Sequence, residues 1–184
     1  MKGYHWVNWV WLVGLCAAFS GCGPEASTPS ADVLSEPEPR KLGFDRPDAQ
    51  PKLATIKLWL GSEEVVAEIA RTELEIASGL MHRDALGVNE GMLFVMPWTR
   101  EVAFYMRNTK IPLSIAYIGE DGRILEIHDM VPLDENGRPS KEPNVRFVLE
   151  MDQGWFAEKG LGVGALVVTE RGGLMETFFV ARTP

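Results

Sequence analysis

The sequence predicts a mainly β domain with one or two short helices, folded as an antiparallel, jelly-roll-like β-sandwich or as a partly closed barrel. Beyond residue 52, eight or nine short apolar segments follow one another, and several alternate apolar with polar residues. This alternation is typical of strands that bury one face. Turns rich in glycine separate the segments, and only two stretches carry helix signals. Many short strands between tight turns are typical of sandwiches and barrels.

The predicted elements begin with a hairpin, in which segments 56–60 and 65–69 flank the Gly61-Ser62 turn. A short helix is expected over 73–78, because Thr72 and Glu75 have capping-box spacing and Gly79 follows. A second short helix is expected within 152–159, before a run of glycines. The last predicted hairpin pairs 165–169 with 176–181 across residues 171–173. The remaining strands are predicted at 92–96, 102–106, 114–118, 124–128 and 146–151.

The first 21 residues have the features of a bacterial lipoprotein signal peptide. Lys2 is followed by a mostly apolar stretch over 6–19, which is shorter than the roughly 20 residues of a membrane span and fits a signal peptide. Residues 19–22, Phe-Ser-Gly-Cys, resemble a lipobox, so cleavage is predicted before Cys22, which would carry the lipid. An ordinary secretory signal and an uncleaved anchor are the alternatives.

A lipid-bearing Cys22 would have consequences for the rest of the chain. Residues 22–52 read as a Pro-rich tether that cannot bury a core, and residues 53–184 as the β domain. The second cysteine, Cys16, lies in the predicted leader, so the domain would hold no thiol for a disulfide, a metal or catalysis. Gly23, rather than Asp, follows Cys22 and favours the outer membrane facing the periplasm, if the host is Gram-negative.

Composition and charge exclude further classes of protein. With 46% hydrophobic and 24% charged residues, the chain is neither disordered throughout nor a polytopic membrane protein. The net charge is −8 at pH 7. Because phosphate binding needs a basic patch, we expect no nucleic-acid partner.

Several motifs fall in order along the predicted domain, namely Gly79 to Arg83, Gly91 to Phe94, Phe104 to Leu113 and Val148 to Glu150. Together they resemble the DUF192 family, also called UPF0127, over about residues 55–168. The resemblance implies a jelly-roll-like β-sandwich in a protein that is commonly exported or lipid-anchored and has no established activity. Ser114 and Ala165 stand where the family usually has Asp, and Tyr105 where it usually has Trp.

The densest polar group, Arg107 to Lys110, directly follows an apolar strand. It would form a cleft for a small anionic or glycan ligand, because an arginine fork suits a carboxylate or phosphate and aromatic rings suit a sugar. Alternatively, Asn108 and Thr109 cap a turn and Arg107 pairs with an acid. Arg83 would either join this cleft or pair with Glu150. The candidate ligand-binding residues are Arg83, Tyr105, Arg107, Asn108, Thr109 and Glu150.

Signatures of catalysis are weak in this sequence. It contains no Gly-x-Ser-x-Gly, His-Glu-x-x-His or phosphate-loop motif, so no catalytic residue is assigned. The two histidines beyond residue 21 and seven methionines could suggest copper, but core packing explains the methionines better, and we expect no metal and no cofactor.

The favoured function is a non-enzymatic, membrane-tethered binding or accessory module of the envelope. The alternatives are a hydrolase or glycan-active enzyme using Glu150, paired with Glu126 or Asp129, and a purely structural protein.

Overall fold

The computed structural model describes residues 48–180. The predicted signal peptide, Cys22 and the tether as far as residue 47 lie outside the described residues, as do residues 181–184. Over the range 48–180, none of the helices is long and apolar enough to cross a membrane.

Within the described range the chain forms ten strands and three short helices, which confirms the prediction of a mainly β fold. In chain order they are β1 (Thr55–Leu60), β2 (Glu63–Ala70), α1 (Glu73–Ser78), β3 (Glu90–Arg100), β4 (Ala103–Phe104), β5 (Leu113–Gly119), β6 (Ile124–Met130), β7 (Arg138–Pro139), β8 (Val145–Asp152), α2 (Trp155–Glu158), β9 (Val167–Thr169), β10 (Gly172–Gly173) and α3 (Leu174–Phe178).

Eight strands form one large sheet in the order β10-β9-β1-β2-β3-β8-β5-β6, and β4 pairs with β7 separately. The expected antiparallel pairing holds except between β2 and β3, which are parallel. The chain between them passes through α1 and a long loop and so returns to the starting end of β2, as a parallel neighbour requires. The sheet is not closed into a barrel, although an isolated bridge joins Arg123 to Leu166, just before β9.

The predicted final strand, 176–181, is wrong, because α3 (Leu174–Phe178) occupies its first three residues. The Glu176 carboxylate accepts a hydrogen bond from the Gly173 N–H at 3.1 Å, which satisfies a donor at the start of this helix. The Phe178 ring packs 6.1 Å from the Phe147 ring, centroid to centroid. An apolar stretch this short fits either a strand or a helix, and packing against the sheet selects the helix.

The large sheet buries apolar side chains on both faces, because successive residues of a strand point to opposite sides. We call the two sides the Leu149 face and the Glu150 face, after consecutive residues of β8. The Leu149 face carries Leu58, Val65, Leu93 and Phe147 and packs against Trp155, Phe156 and Leu174 near the end of the chain. The Glu150 face carries Met92, Phe94, Ile115, Tyr117 and Val148 and is covered by Leu80, Val102, Met106 and Ile111.

Residues 48–52, at the end of the predicted tether, are also described. Gln50 is buried, and its side-chain amide donates to the backbone carbonyl oxygens of Glu75 and Gly79, at 3.2 and 2.8 Å. The Glu75 carbonyl also accepts from the Gly79 N–H at 2.9 Å, whereas the Gly79 carbonyl lies just beyond the end of α1 and has no helical partner. Gln50 therefore stabilises the end of this helix.

Replacing Thr72 with alanine is expected to lower the free energy of unfolding by about 1 kcal/mol. The Thr72 hydroxyl oxygen accepts from the Glu75 N–H at 3.2 Å, and the Glu75 carboxylate accepts from the Thr72 N–H at 2.9 Å, which confirms the predicted capping box. Urea unfolding measures the loss. Thr55→Ala is the matched control, because Thr55 is exposed and its side chain makes no hydrogen bond within residues 48–180. Equal losses in the two variants would show that the cap contributes nothing.

Candidate functional site

A cavity of about 230 Å³ lies on the Glu150 face of the large sheet. The sheet contributes Phe94, Met96 and Glu150 to its lining, and the covering segments 76–81 and 100–105 contribute most of the rest, together with Thr109. For scale, an apolar cavity of about 150 Å³ binds benzene. This cavity therefore has room for a small substituted ring, but not for a peptide or an oligosaccharide.

Strand register explains how Glu150 reaches the cavity. Glu150 pairs with Met92 on β3 and with Ile115 on β5. Met92 pairs in turn with Glu68 on β2, and Ile115 with His128 on β6. All five residues form one row across the Glu150 face, in which apolar side chains separate the polar ones. Glu68 lies two strands from Glu150, or about 10 Å at the usual strand spacing.

The Glu150 carboxyl group is an isolated buried acid. The residue is 5% exposed, and within residues 48–180 no hydrogen bond or ion pair reaches its side chain. Burial raises the pKa of the Glu150 carboxyl from the ordinary 4.5 to about 8, because the charged form loses its hydration without gaining a partner. At neutral pH this group is therefore mostly protonated in the empty cavity.

Arg83 pairs with Glu68 and does not line the cavity. Its Nη2 lies 2.9 Å from Glu68 Oε2, and both side chains are largely buried. The Leu53 N–H donates to the same carboxylate oxygen at 2.7 Å. The sequence predicted for Arg83 either a place in the cleft or an ion pair with Glu150. Arg83 does form an ion pair, but its partner is Glu68.

The other predicted site residues divide into two groups. Tyr105 and Thr109 line the cavity together with Glu150, whereas Arg107 and Asn108 are not among the lining residues. Asn108 adopts a positive φ of 54°, and its carbonyl accepts from the His82 N–H at 2.8 Å. The Thr109 hydroxyl donates to the Arg107 carbonyl at 3.2 Å, within the turn that the sequence indicated as the alternative.

Neither carboxylate proposed to accompany Glu150 is free to do so. Glu126 accepts hydrogen bonds from the backbone N–H groups of Lys141 and Glu142, at 2.7 and 2.9 Å, and its carboxylate lies 2.9 Å from a ring nitrogen of His128. Burial alone would raise the pKa of Glu126, but these hydrogen bonds together hold it below its usual value. Glu126 therefore anchors the 141–142 loop.

Asp129 lies on the Leu149 face, where it accepts a hydrogen bond from the Ser114 hydroxyl. Ser114 also accepts from the Gly154 N–H at 2.9 Å, next to α2. Ala165 packs against the apolar cluster of the same face. Both positions where a family Asp is replaced thus lie across the sheet from the cavity.

Sequence reasoning missed most of the cavity lining, including Ser78, Phe94, Met96, Arg100, Glu101 and Phe104. One signal was available, because an acid inside the apolar run Val148-Leu149-Glu150-Met151 is unusual and indicates a special environment. Arg100 and Glu101 lie at the end of β3 and just beyond it, and no local pattern marks them. Among residues 48–180, no group of three His, Cys, Asp or Glu side chains is arranged to hold a metal ion.

Residues 48–180 therefore form a small, mainly β domain whose cavity holds one buried, unpaired acid. The chain belongs to the DUF192 family, whose sequence profile, described as "Uncharacterized ACR, COG1430", matches residues 56–169.

Two solved structures resemble this chain. One, from Sinorhizobium meliloti 1021, is described as a putative transcription regulator; it is 32% identical with a TM-score of 0.61, and the match covers 65% of this chain and 97% of that one. The other, from Novosphingobium aromaticivorans DSM 12444, is described as a protein of unknown function; it is 38% identical with a TM-score of 0.56, covering 62% of this chain and 84% of that one. No curated protein matches the chain significantly.

Proposed function

We propose that this protein is a small-molecule-binding module whose ligand occupies the Glu150 cavity. The observation that carries the proposal is a formed cavity of about 230 Å³, lined by apolar and polar groups, that contains one buried carboxyl group without a partner. The apolar body of the ligand would contact Phe94 and Phe104, and a hydrogen-bonding group would meet Glu150. Small-molecule sites typically combine an apolar lining with a few placed polar groups.

The energetic cost of Glu150 supports this proposal. An unpaired buried acid lowers stability, and such costs are characteristic of functional positions.

The sequence favoured a small polar or anionic ligand bound through arginines. Because Arg83 pairs with Glu68 and neither Arg83 nor Arg107 lines the cavity, neither of the arginines favoured by the sequence is available to a ligand there. The exposed Arg100, at the rim, is the cationic lining residue.

Filling the cavity tests the binding proposal. Ala77 lines the cavity, so Ala77→Phe should occupy part of it, whereas Ala157→Phe places the same side chain on an exposed position of α2, away from the cavity. A thermal-shift screen of the full chain against small aromatic alcohols, amides and amines should give ligands that raise the Tm of the wild type and of Ala157→Phe. The same ligands should leave Ala77→Phe unchanged. Equal stabilisation of both variants, or no stabilising compound, would refute the proposal.

We further propose that the module acts in the cell envelope and is held there by a lipid on Cys22. The lipobox-like residues 19–22 and the Pro-rich segment after them support this anchor. Cys22→Ala should abolish labelling of the protein by a radioactive fatty acid and release it from the membrane fraction. Cys16→Ala is the matched control and should label normally. Undiminished labelling of Cys22→Ala would rule out lipidation at this residue.

A second candidate function is a hydrolase or glycan-active enzyme that uses Glu150 as a general acid. A carboxyl with a pKa of about 8 holds its proton at neutral pH, as a general acid must, and Glu101 supplies a second carboxyl to the same cavity. Turnover of small nitrophenyl glycosides or esters that is lost in Glu150→Gln would favour this function. Binding of such compounds without turnover would favour the binding module.

A further inference from the structure

Three buried polar residues line the Glu150 cavity: Thr109 and Glu150 can accept hydrogen bonds from a ligand, and the Ser78 hydroxyl can donate or accept. The Thr109 hydroxyl gives its single proton to the Arg107 carbonyl, so only its acceptor lone pairs remain for a ligand. Glu150, once ionised, is an acceptor as well. A ligand that satisfies both residues must therefore bring hydrogen-bond donors.

The charges around Glu150 also favour a positive ligand. In the same row of the sheet, Glu68 is acidic and its cation Arg83 is already paired, while His128 lies beside the Glu126 carboxylate. Tyr117, which also faces this side of the sheet, donates its hydroxyl proton to the Arg138 carbonyl. None of these groups supplies Glu150 with a positive partner.

At the rim of the cavity, Arg100 and Glu101 are both exposed and of opposite sign. Glu150 is the one buried ionisable acid or base among the lining residues.

The aromatic lining suits a cation with an apolar body. The Phe94 and Phe104 rings meet edge to face, with centroids 4.9 Å apart, and Tyr105 lines the cavity with 37% of its surface exposed. Ring faces attract ammonium groups, and the attraction grows where water is excluded. Scaled from benzene in about 150 Å³, a cavity of 230 Å³ holds roughly nine non-hydrogen atoms.

We propose that the ligand is a small primary amine with an aromatic or branched apolar body, bound with its ammonium group on the Glu150 carboxylate and its body among Phe94, Phe104 and Met96. This inference rests on the proposed binding function. An uncharged alcohol of the same shape would fill the same space but would leave the carboxyl protonated.

Binding of an amine has a distinctive pH dependence. Because burial raises the pKa of Glu150 to about 8, the empty site is protonated at pH 6, and the ammonium group must displace that proton. Each amine bound at pH 6 to 7 therefore releases close to one proton, and affinity rises nearly tenfold per pH unit up to about pH 8. An alcohol bound to the protonated acid shows no such rise.

The test compares 2-phenylethylamine with 2-phenylethanol by calorimetric titration of the full chain between pH 6 and 9, in two buffers of different ionisation enthalpy. The amine should bind more tightly as pH rises to 8, with proton release. In Glu150→Gln, amine affinity at pH 8 should fall at least tenfold, while alcohol affinity changes less than threefold. Glu73→Gln removes an exposed acid on α1 outside the cavity and should change neither.

Each contrary result has a distinct meaning. If the alcohol binds the wild type at pH 8 as tightly as the amine, or if Glu150→Gln keeps full amine affinity, the amine proposal is wrong while the binding function stands. If neither probe binds below about 10 mM, the amine proposal is overturned. The binding function then fails too if the wider screen with Ala77→Phe finds no ligand.

Discussion

Glu150→Gln is expected to be more stable than the wild type at pH 8 by about 4 kcal/mol, and nearly equal to it at pH 4. The pKa of the buried carboxyl is raised from 4.5 to about 8, so the folded state holds a proton that the unfolded state releases. The stability associated with that proton is fully present below about pH 4.5 and is lost progressively as pH rises to about 8. Glutamine keeps the shape of the side chain and has no proton to lose.

Urea unfolding at half-unit steps from pH 4 to 9 measures this difference directly. Glu73→Gln, the control at an exposed acid in the first turn of α1, should differ in stability from the wild type by less than about 1 kcal/mol. Glu75 and Glu126 have pKa values lowered by hydrogen bonds, so their contributions begin to be lost at the acid end of this range. The wild type and Glu150→Gln share these contributions, which therefore cancel in the difference between them. Parallel curves for the wild type and Glu150→Gln would mean that Glu150 is solvated or paired in solution.

Arg83→Met is expected to lower the free energy of unfolding by about 3 kcal/mol at pH 7. The change removes the guanidinium from a largely buried ion pair and leaves the Glu68 carboxylate with the Leu53 N–H as its remaining donor. Removing one partner of such a pair costs more than replacing both, because a buried charge is left uncompensated. The double variant Arg83→Met with Glu68→Gln should therefore recover part of the loss.

The matched control is Arg123→Met, which breaks a solvent-exposed contact with Asp121 at 3.9 Å and an exposed hydrogen bond to the Gly164 carbonyl at 2.8 Å. Exposed ion pairs contribute little, so this variant should lose less than about 1 kcal/mol. If Arg83→Met loses no more than Arg123→Met, the Glu68 pair does not stabilise the fold.

The sequence pointed to part of the candidate site. It marked Tyr105, Thr109 and Glu150, because polar residues next to apolar strands stand out locally, and these three do line the cavity. It also grouped Arg83 and Arg107 with them, because sequence proximity to a motif carries no information on which acid a long side chain will reach. Side chains such as Phe94 read as ordinary core, since an apolar residue facing a cavity looks the same in sequence as one facing a neighbour.

Local pattern alone also settled most of the secondary structure. Alternation predicted β1 and β2, and the Thr72 capping box predicted α1 over the residues where it is found. The prediction of a strand over 176–181 was wrong, because a short apolar run fits either a strand or a helix. Contact between Phe178 and Phe147 favours the helix. The lipid on Cys22 remains a prediction from sequence, outside the described residues.

The sequence by itself determined that this chain forms a mainly β domain of the DUF192 family, because strand alternation, turns and caps depend on neighbours a few residues apart. Only the tertiary structure decided which charges meet. The parallel register of β2 with β3 and the antiparallel register of β3 with β8 place Glu68 and Glu150 in one row with Met92 between them. Arg83 reaches Glu68, and Glu150 is left in the cavity without a partner, because pairing across a sheet is set by strands far apart in the chain.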